Sequence, residues 1–153
     1  MAIFSFSSLP KAQRDFNVAI CVSQFNEQIT EKLLEECVRT LKKCEIYNID
    51  IFYTSGAFEL PFITRKLQNK NIYDGIITLG AIIKGDTPHF EYISQETTRG
   101  IMECNLRGDI PVVFGILTCN TEQQAIDRIK NAEEHAIALI NQMNSVVEIE
   151  EQD

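Results

Sequence analysis

The sequence predicts an α/β domain built on a parallel sheet, with helices on both faces and right-handed crossovers. Two observations carry that prediction. Four short apolar runs alternate with segments whose apolar residues recur at helical spacing. One of those runs, Gly75 to Ala81, is short and rich in Ile, the composition of a strand covered on both faces.

In chain order, Met1 to Asp15 shows no clear periodicity and ends in polar residues, so residues 1–15 are expected to form an arm lying on the body of the domain or on a neighbour. The first strand is Asn17 to Val22. It leads through Ser23-Gln24-Phe25-Asn26 into a helix whose apolar stripe is Ile29, Leu33, Leu34, Cys37, Val38 and Leu41. Ile46 to Tyr53 is the second strand, and Thr54-Ser55-Gly56-Ala57 connects it to a helix from Phe58 to Lys70. Pro61 is tolerated there because it lies in the first turn, where its missing N–H has no intrahelical partner. The third strand, Gly75 to Ala81, hands over to a loop around Gly85 and then to a helix from His89 to about Leu106. Thr87 is the expected N-cap of that helix, Pro88 its first residue and Gly108 its stop. Pro111 to Leu117 is the fourth strand, followed by Thr121 and Gln124 at capping-box spacing. The last helix, Lys130 to about Val147, rests on Ala132, Ala136, Leu139, Ile140 and Met143. The main domain is thus expected to span 16–147, with an acidic tail, 148–153, that frays.

A chain of 153 residues supports one well-filled core. No apolar run approaches the length of a bilayer span, and the N-terminus lacks the basic region and long apolar region of a secretory leader, so a soluble cytoplasmic protein is expected. The net charge of −8 argues against sequence-independent nucleic-acid binding, which needs a basic face to displace counterions. An anionic ligand must be held locally. The five cysteines, Cys21, Cys37, Cys44, Cys104 and Cys119, have neither metal-site spacing nor the density of a disulfide scaffold, and are expected to be reduced. Two histidines and no ligand pair at useful spacing give no reason to expect a metal site.

The loops leaving the C-terminal ends of parallel strands open on one edge, where ligands bind. That edge collects Phe25, Ser55 to Glu59, Lys84 to His89 and Cys119 to Thr121. The loop at Gly85 is the most specific of these. A strand, a glycine-containing loop and a helix N-terminus together offer unpaired backbone N–H groups and a positive dipole end, which is an anion site, and His89 stands beside it as a proton carrier. Other residues allow two readings. Phe25 either stacks on a flat ring ligand or packs under its loop or against a neighbouring subunit. In Gly56-Ala57-Phe58-Glu59-Leu60-Pro61, the small pair permits close backbone approach, while Glu59 can simply complement the helix dipole and Phe58 be core. Backbone groups at Ala57 and at Ala81, Ile82 and Ile83 can pair with the edge of a heterocycle. Arg128 is either a solvated helix charge or an anion clamp. By periodicity alone Phe114 is core and His135 is surface.

Together these motifs resemble the lumazine synthase family of riboflavin biosynthesis. The resemblance runs in order along nearly the whole chain: Ser23-Gln24-Phe25-Asn26 with Ile29-Thr30, then Gly56 to Pro61, Leu79 to Phe90, and Phe114-Gly115-Ile116-Leu117-Thr118 through Gln124-Ala125 to Arg128. It implies a flavodoxin-like three-layer domain with a four-stranded parallel sheet, and a homopentamer with active sites between adjacent subunits. It also implies a reaction without metal or organic cofactor, in which 5-amino-6-(D-ribitylamino)uracil and 3,4-dihydroxy-2-butanone 4-phosphate condense to 6,7-dimethyl-8-ribityllumazine, phosphate and water. Carried over by position, Phe25 stacks on the pyrimidine; Ala57, Phe58, Glu59, Ala81, Ile82 and Ile83 bind its edge and the ribityl chain; Gly85, Asp86, Thr87 and Arg128 hold phosphate. His89 moves protons, and Phe114 comes from the neighbouring subunit, against its reading as core. The chain departs from the family after Arg128, where only Ile129-Lys130-Asn131-Ala132 replaces a longer Gly- and Lys-rich segment. That segment sets the angle of the last helix in the family and is associated with a sixty-subunit capsid, so its shortening favours a free pentamer or a pentamer pair. A non-catalytic flavin carrier has no need of His89 or Arg128, and a shell protein has no need of four convergent loops. An archaeal-type riboflavin synthase shares the ancestry, yet the Gly85 to His89 loop resembles that of the lumazine enzyme.

Overall fold

Four strands form one parallel sheet in the computed structural model, which describes residues 9–152. They are β1 (Asn17–Ser23), β2 (Asn48–Thr54), β3 (Gly75–Ile83) and β4 (Val112–Cys119), in the order β2-β1-β3-β4. Every strand falls within roughly two residues of its expected bounds, the usual uncertainty of element ends. This is the doubly wound order of flavodoxin-like sheets, and the direction of winding reverses between β1 and β3.

Alternation along the strands separates two cores. Val18, Ile20, Val22, Ile77, Leu79 and Val113 face α1 (Glu27–Lys43) and α5 (Ala132–Glu150). Ala19, Cys21, Ile76, Ile82 and Ile116 face α2 (Leu60–Gln68) and α3 (His89–Arg107). A short α4 (Glu122–Asp127) follows β4 under the expected capping box: Gln124 N–H donates to Thr121 Oγ1 at 3.2 Å, and the Gln124 side chain accepts from Thr121 N–H at 3.4 Å. β3 is buried along both faces up to Ile82 because it has a strand on each side and helices above and below. β2, at the sheet edge, is largely exposed. No helix among the described residues is long and apolar enough to cross a membrane.

Several boundaries move for local reasons. Ile46 is buried but does not begin β2; its N–H donates to Leu41 C=O and closes the end of α1. A 3-10 turn, Ala57–Glu59, precedes α2, which stops at Gln68. Pro88, with ψ near 4°, occupies the cap position of α3 in place of Thr87, whose hydroxyl accepts only a long 3.4 Å hydrogen bond from His89 N–H. A second 3-10 turn, Ile129–Asn131, precedes α5.

The acidic tail does not simply fray: α5 continues to Glu150, where Glu148 accepts from Gln13 Nε2 and Glu151 pairs with Arg14, both at 2.8 Å. The Gln13 N–H and the Lys11 C=O also bond the Asn144 side chain. The second half of the arm thus lies along α5, while 1–8 fall outside the described residues. All five cysteines are buried and free, and burial pushes the thiols of Cys21 and Cys37 up to about 12.

His135 is not a surface residue. It is half-buried on α5 with its ring against Gly115, where an added Cβ would lie 3.1 Å from His135 Cδ2 and 2.6 Å from Thr78 C=O. Its Nε2 is buried without a hydrogen-bond partner among the described residues, and burial lowers its pKa below the ordinary 6.5, opposed by Glu134. The unfolded chain therefore takes up a proton that the fold resists, and stability contributed by the neutral ring is present above pH 6.5 and lost as pH falls below it. Replacing the ring with an uncharged, adaptable side chain, His135→Met, should shrink the drop in thermal midpoint between pH 7.5 and pH 5.5. An unchanged drop would show that His135 is not a source of acid sensitivity.

Candidate active site

The site begins with a mismatch in strand length. β1 last pairs with β3 at Val22 and Leu79, whereas β4 stays paired as far as Ile83 and Cys119. The four residues Gly80 to Ile83 therefore have a strand on one side only, and a cavity of about 490 Å³ opens at that end. It lies at the point where the winding of the sheet reverses.

Three groups line the cavity around Ala81, Ile82 and Ile83. The first is Phe25, 71% exposed in the loop after β1. Its N–H donates to Ser55 C=O at 2.9 Å and that of Gln24 to Thr54 C=O at 2.8 Å, so this loop is tied to the one after β2. The second is Gly56, Ala57, Phe58 and Glu59. Here Thr54 Oγ1 donates to Gly56 C=O at 2.8 Å, and Glu59 Oε2 accepts from Gly56 N–H at 3.1 Å. Glu59 therefore closes its own turn, and Phe58, 57% exposed, is a cavity wall and not core. The third is Gly85, Thr87 and His89 with Phe90 and Ile93 behind them on α3.

Three expected residues lie outside this lining. Asp86 is exposed beyond it. Arg128 is exposed after α4, its Nη1 donating to Gln124 C=O at 2.9 Å, and its charge opposes the rise that burial imposes on the Cys119 thiol at the end of β4. Phe114 is 37% exposed on β4, so it is neither core nor part of the cavity of its own chain. Among the described residues no lysine or arginine lines the cavity, and no cluster of three or more His, Cys, Asp or Glu is placed to hold a metal ion. Gly56 of the expected small pair is part of the lining, whereas Phe90 and Ile93 are lining residues not singled out from the sequence. Phe90 and Ile93 carry a usable signal, since they begin the stripe continued by Thr97, Ile101 and Cys104.

A three-layer domain with aromatic walls at its switch point and a glycine loop leading to a histidine at a helix start belongs to the class of small-molecule enzymes on a doubly wound sheet. A family model described as 6,7-dimethyl-8-ribityllumazine synthase matches residues 15–147. The chain is 43% identical to the 6,7-dimethyl-8-ribityllumazine synthase of Limosilactobacillus reuteri (strain DSM 20016), over 78% of this chain and 80% of the relative. It is 44% identical to the protein of the same name from Synechococcus sp. (strain CC9902), over 77% and 78%. The chain belongs to the 6,7-dimethyl-8-ribityllumazine synthase family, and it is a transferase.

Gly85 separates fold from site. No glycine has a positive φ, and a Cβ at Gly85 would meet nothing within 4 Å. Neither backbone strain nor packing requires glycine there, so Gly85→Ala should leave unfolding free energy within about 0.5 kcal/mol of the parent. A larger loss in urea unfolding would mean that the loop is part of the folded core.

Proposed function

We propose that the chain condenses 5-amino-6-(D-ribitylamino)uracil with 3,4-dihydroxy-2-butanone 4-phosphate to give 6,7-dimethyl-8-ribityllumazine, phosphate and water, as a step of riboflavin biosynthesis in the cytoplasm. The observation that carries this reading is the joint lining of one cavity by Phe25, the half-paired end of β3 and His89. Phe25 stacks on the pyrimidine, while Ala57, Phe58, Glu59, Ala81, Ile82 and Ile83 hold its edge and the ribityl chain. Gly85, Asp86 and Thr87 meet the phosphate, mostly through backbone N–H groups at the start of α3.

The chemistry asks for proton transfers at successive steps. The amine attacks the ketone, water leaves as the Schiff base forms, phosphate departs by elimination, and ring closure expels the remaining water. Each proton can pass through His89, the only histidine lining the cavity among the described residues. Holding the two reactants in register supplies much of the remaining acceleration, several kcal/mol and up to about 10.

The site is completed by a second copy of the chain. A cation would strengthen the hold on phosphate, and among the described residues no lysine or arginine lines the cavity; Phe114 on an edge strand and Tyr92, Met102 and Leu106 on α3 are large apolar side chains left exposed by a single chain. In the assembly Phe114 of one subunit closes the cavity of its neighbour, and Arg128 neutralises the phosphate. The single 3-10 turn between α4 and α5 supports a free pentamer or a pentamer pair over a sixty-subunit capsid.

Mixing protein with both substrates and following lumazine fluorescence should show clear acceleration over the uncatalysed background; its absence would sink the proposal. His89→Ala should slow turnover about a hundredfold or more with little change in KM, because register is kept and proton transfer lost. Full activity in that variant would remove His89 from the mechanism. Light scattering should report a pentamer or a pair of pentamers, and a capsid-sized particle would reject the assembly.

A further inference from the structure

Asn26 occupies the cap position of α1, and its backbone C=O accepts from Ile29 N–H at 2.9 Å and Thr30 N–H at 3.1 Å. A capping asparagine ordinarily also spends its side chain on the first free N–H groups of the helix. This one does not. Its backbone is left-handed, with φ 62° and ψ 46°, and its side chain makes no capping hydrogen bond. Instead Asn26 Nδ2 donates to Ala81 C=O at 2.8 Å, across 55 positions of sequence. The residue takes up a left-handed conformation that asparagine tolerates better than most residues, and it gives up a helix cap. What it gains is a link from the β1–α1 loop to the open edge of β3.

That link bears on Phe25. The Phe25 ring is 71% exposed, so packing within the chain does little to fix it, and its place depends on the backbone that carries it. On the β2 side that backbone is tethered by the Gln24 and Phe25 N–H bonds to Thr54 and Ser55 C=O, at 2.8 and 2.9 Å; on the β3 side it is tethered by the Asn26 amide on Ala81. Ala81 is itself cavity lining. We propose that Asn26 is a positioning residue, whose side-chain amide sets the spacing between the Phe25 ring and the end of β3 and so the width of the slot that accepts a planar heterocycle. The inference rests on the reading of Phe25 as the ring-stacking residue. Asn26 acts through Phe25 and does not share in the chemistry of His89.

The test is a double-mutant cycle read by titrating 6,7-dimethyl-8-ribityllumazine into the assembled protein and following its fluorescence. Asn26→Gly keeps the left-handed backbone while removing the amide, so its thermal midpoint should stay close to that of the parent. It should bind the lumazine about fivefold more weakly, the effect of one lost neutral hydrogen bond. Asn26→Asp tolerates the same backbone but cannot donate to a carbonyl, and should weaken binding at least as much. In turnover both variants should raise KM for the pyrimidine and spare kcat. Combined with Phe25→Ala, Asn26→Gly should add no further loss, an outcome that a purely structural role would not produce. Parent-like affinity in Asn26→Gly alongside weak binding in Phe25→Ala would overturn the positioning role and leave ring stacking intact. Fully additive losses would also overturn it, since Asn26 would then act independently of Phe25. Parent-like affinity in Phe25→Ala would overturn the stacking reading, and this inference with it.

Discussion

The site depends on β3 running four residues past its last partner in β1 while remaining paired with β4. A strand end with neighbours on both sides would have its backbone satisfied by the sheet, leaving no open edge for a ligand. One with neighbours on neither side would be a loop, without fixed geometry. Pairing on one side gives Gly80 to Ile83 the rigidity of a sheet and the exposed edge of a ligand site. The cost of stabilising this arrangement is met elsewhere in β3, which is buried on both faces from Gly75 to Ile82 and joins the two cores.

Around that edge, loops from three strands are held by a small set of bonds between neighbours. Gln24 bonds the last residue of β2 and Phe25 the loop after it, Asn26 bonds β3, and Glu59 folds back on Gly56. Each leaves an aromatic ring or a backbone edge turned to the cavity and uses a main-chain group as anchor. The cavity is open to solvent, and its walls combine the rings of Phe25, Phe58 and Phe90 with the strand end Ala81 to Ile83. The −8 net charge adds a constraint: with no lysine or arginine lining the cavity among the described residues, attraction for any anion there falls to the N–H groups at the start of α3.

Much of this was legible in the sequence. The strands and helices follow from periodicity, and the α1 stripe of Ile29, Leu33, Leu34, Cys37 and Leu41 is buried in the structure. The capping box at Thr121 and Gln124 was readable because both partners lie within one turn. Other positions were misread for physical reasons. His135 sits at a spacing that looks solvent-facing, but Gly115 leaves a hollow across the sheet that the imidazole fills. Phe114 looked like core because strand alternation cannot tell an edge strand from a central one. Pro88 displaced Thr87 as the cap because its ψ near 4° is not yet helical.

By itself the sequence determined what is local: which segments are strands or helices, which residues are apolar on one face, and which loops carry glycine, histidine or aromatic side chains. Tertiary structure decided what is relational. Only the strand order brings the loops after β1, β2 and β3 to one cavity, and only the register offset between β1 and β4 leaves the end of β3 open on one side. Only the folded chain ties Asn26 to Ala81 and leaves Arg128 and Phe114 outside the lining of the cavity. The physical reason is that periodicity reports how a residue is buried but not against what, whereas a site is made of contacts between segments far apart in sequence.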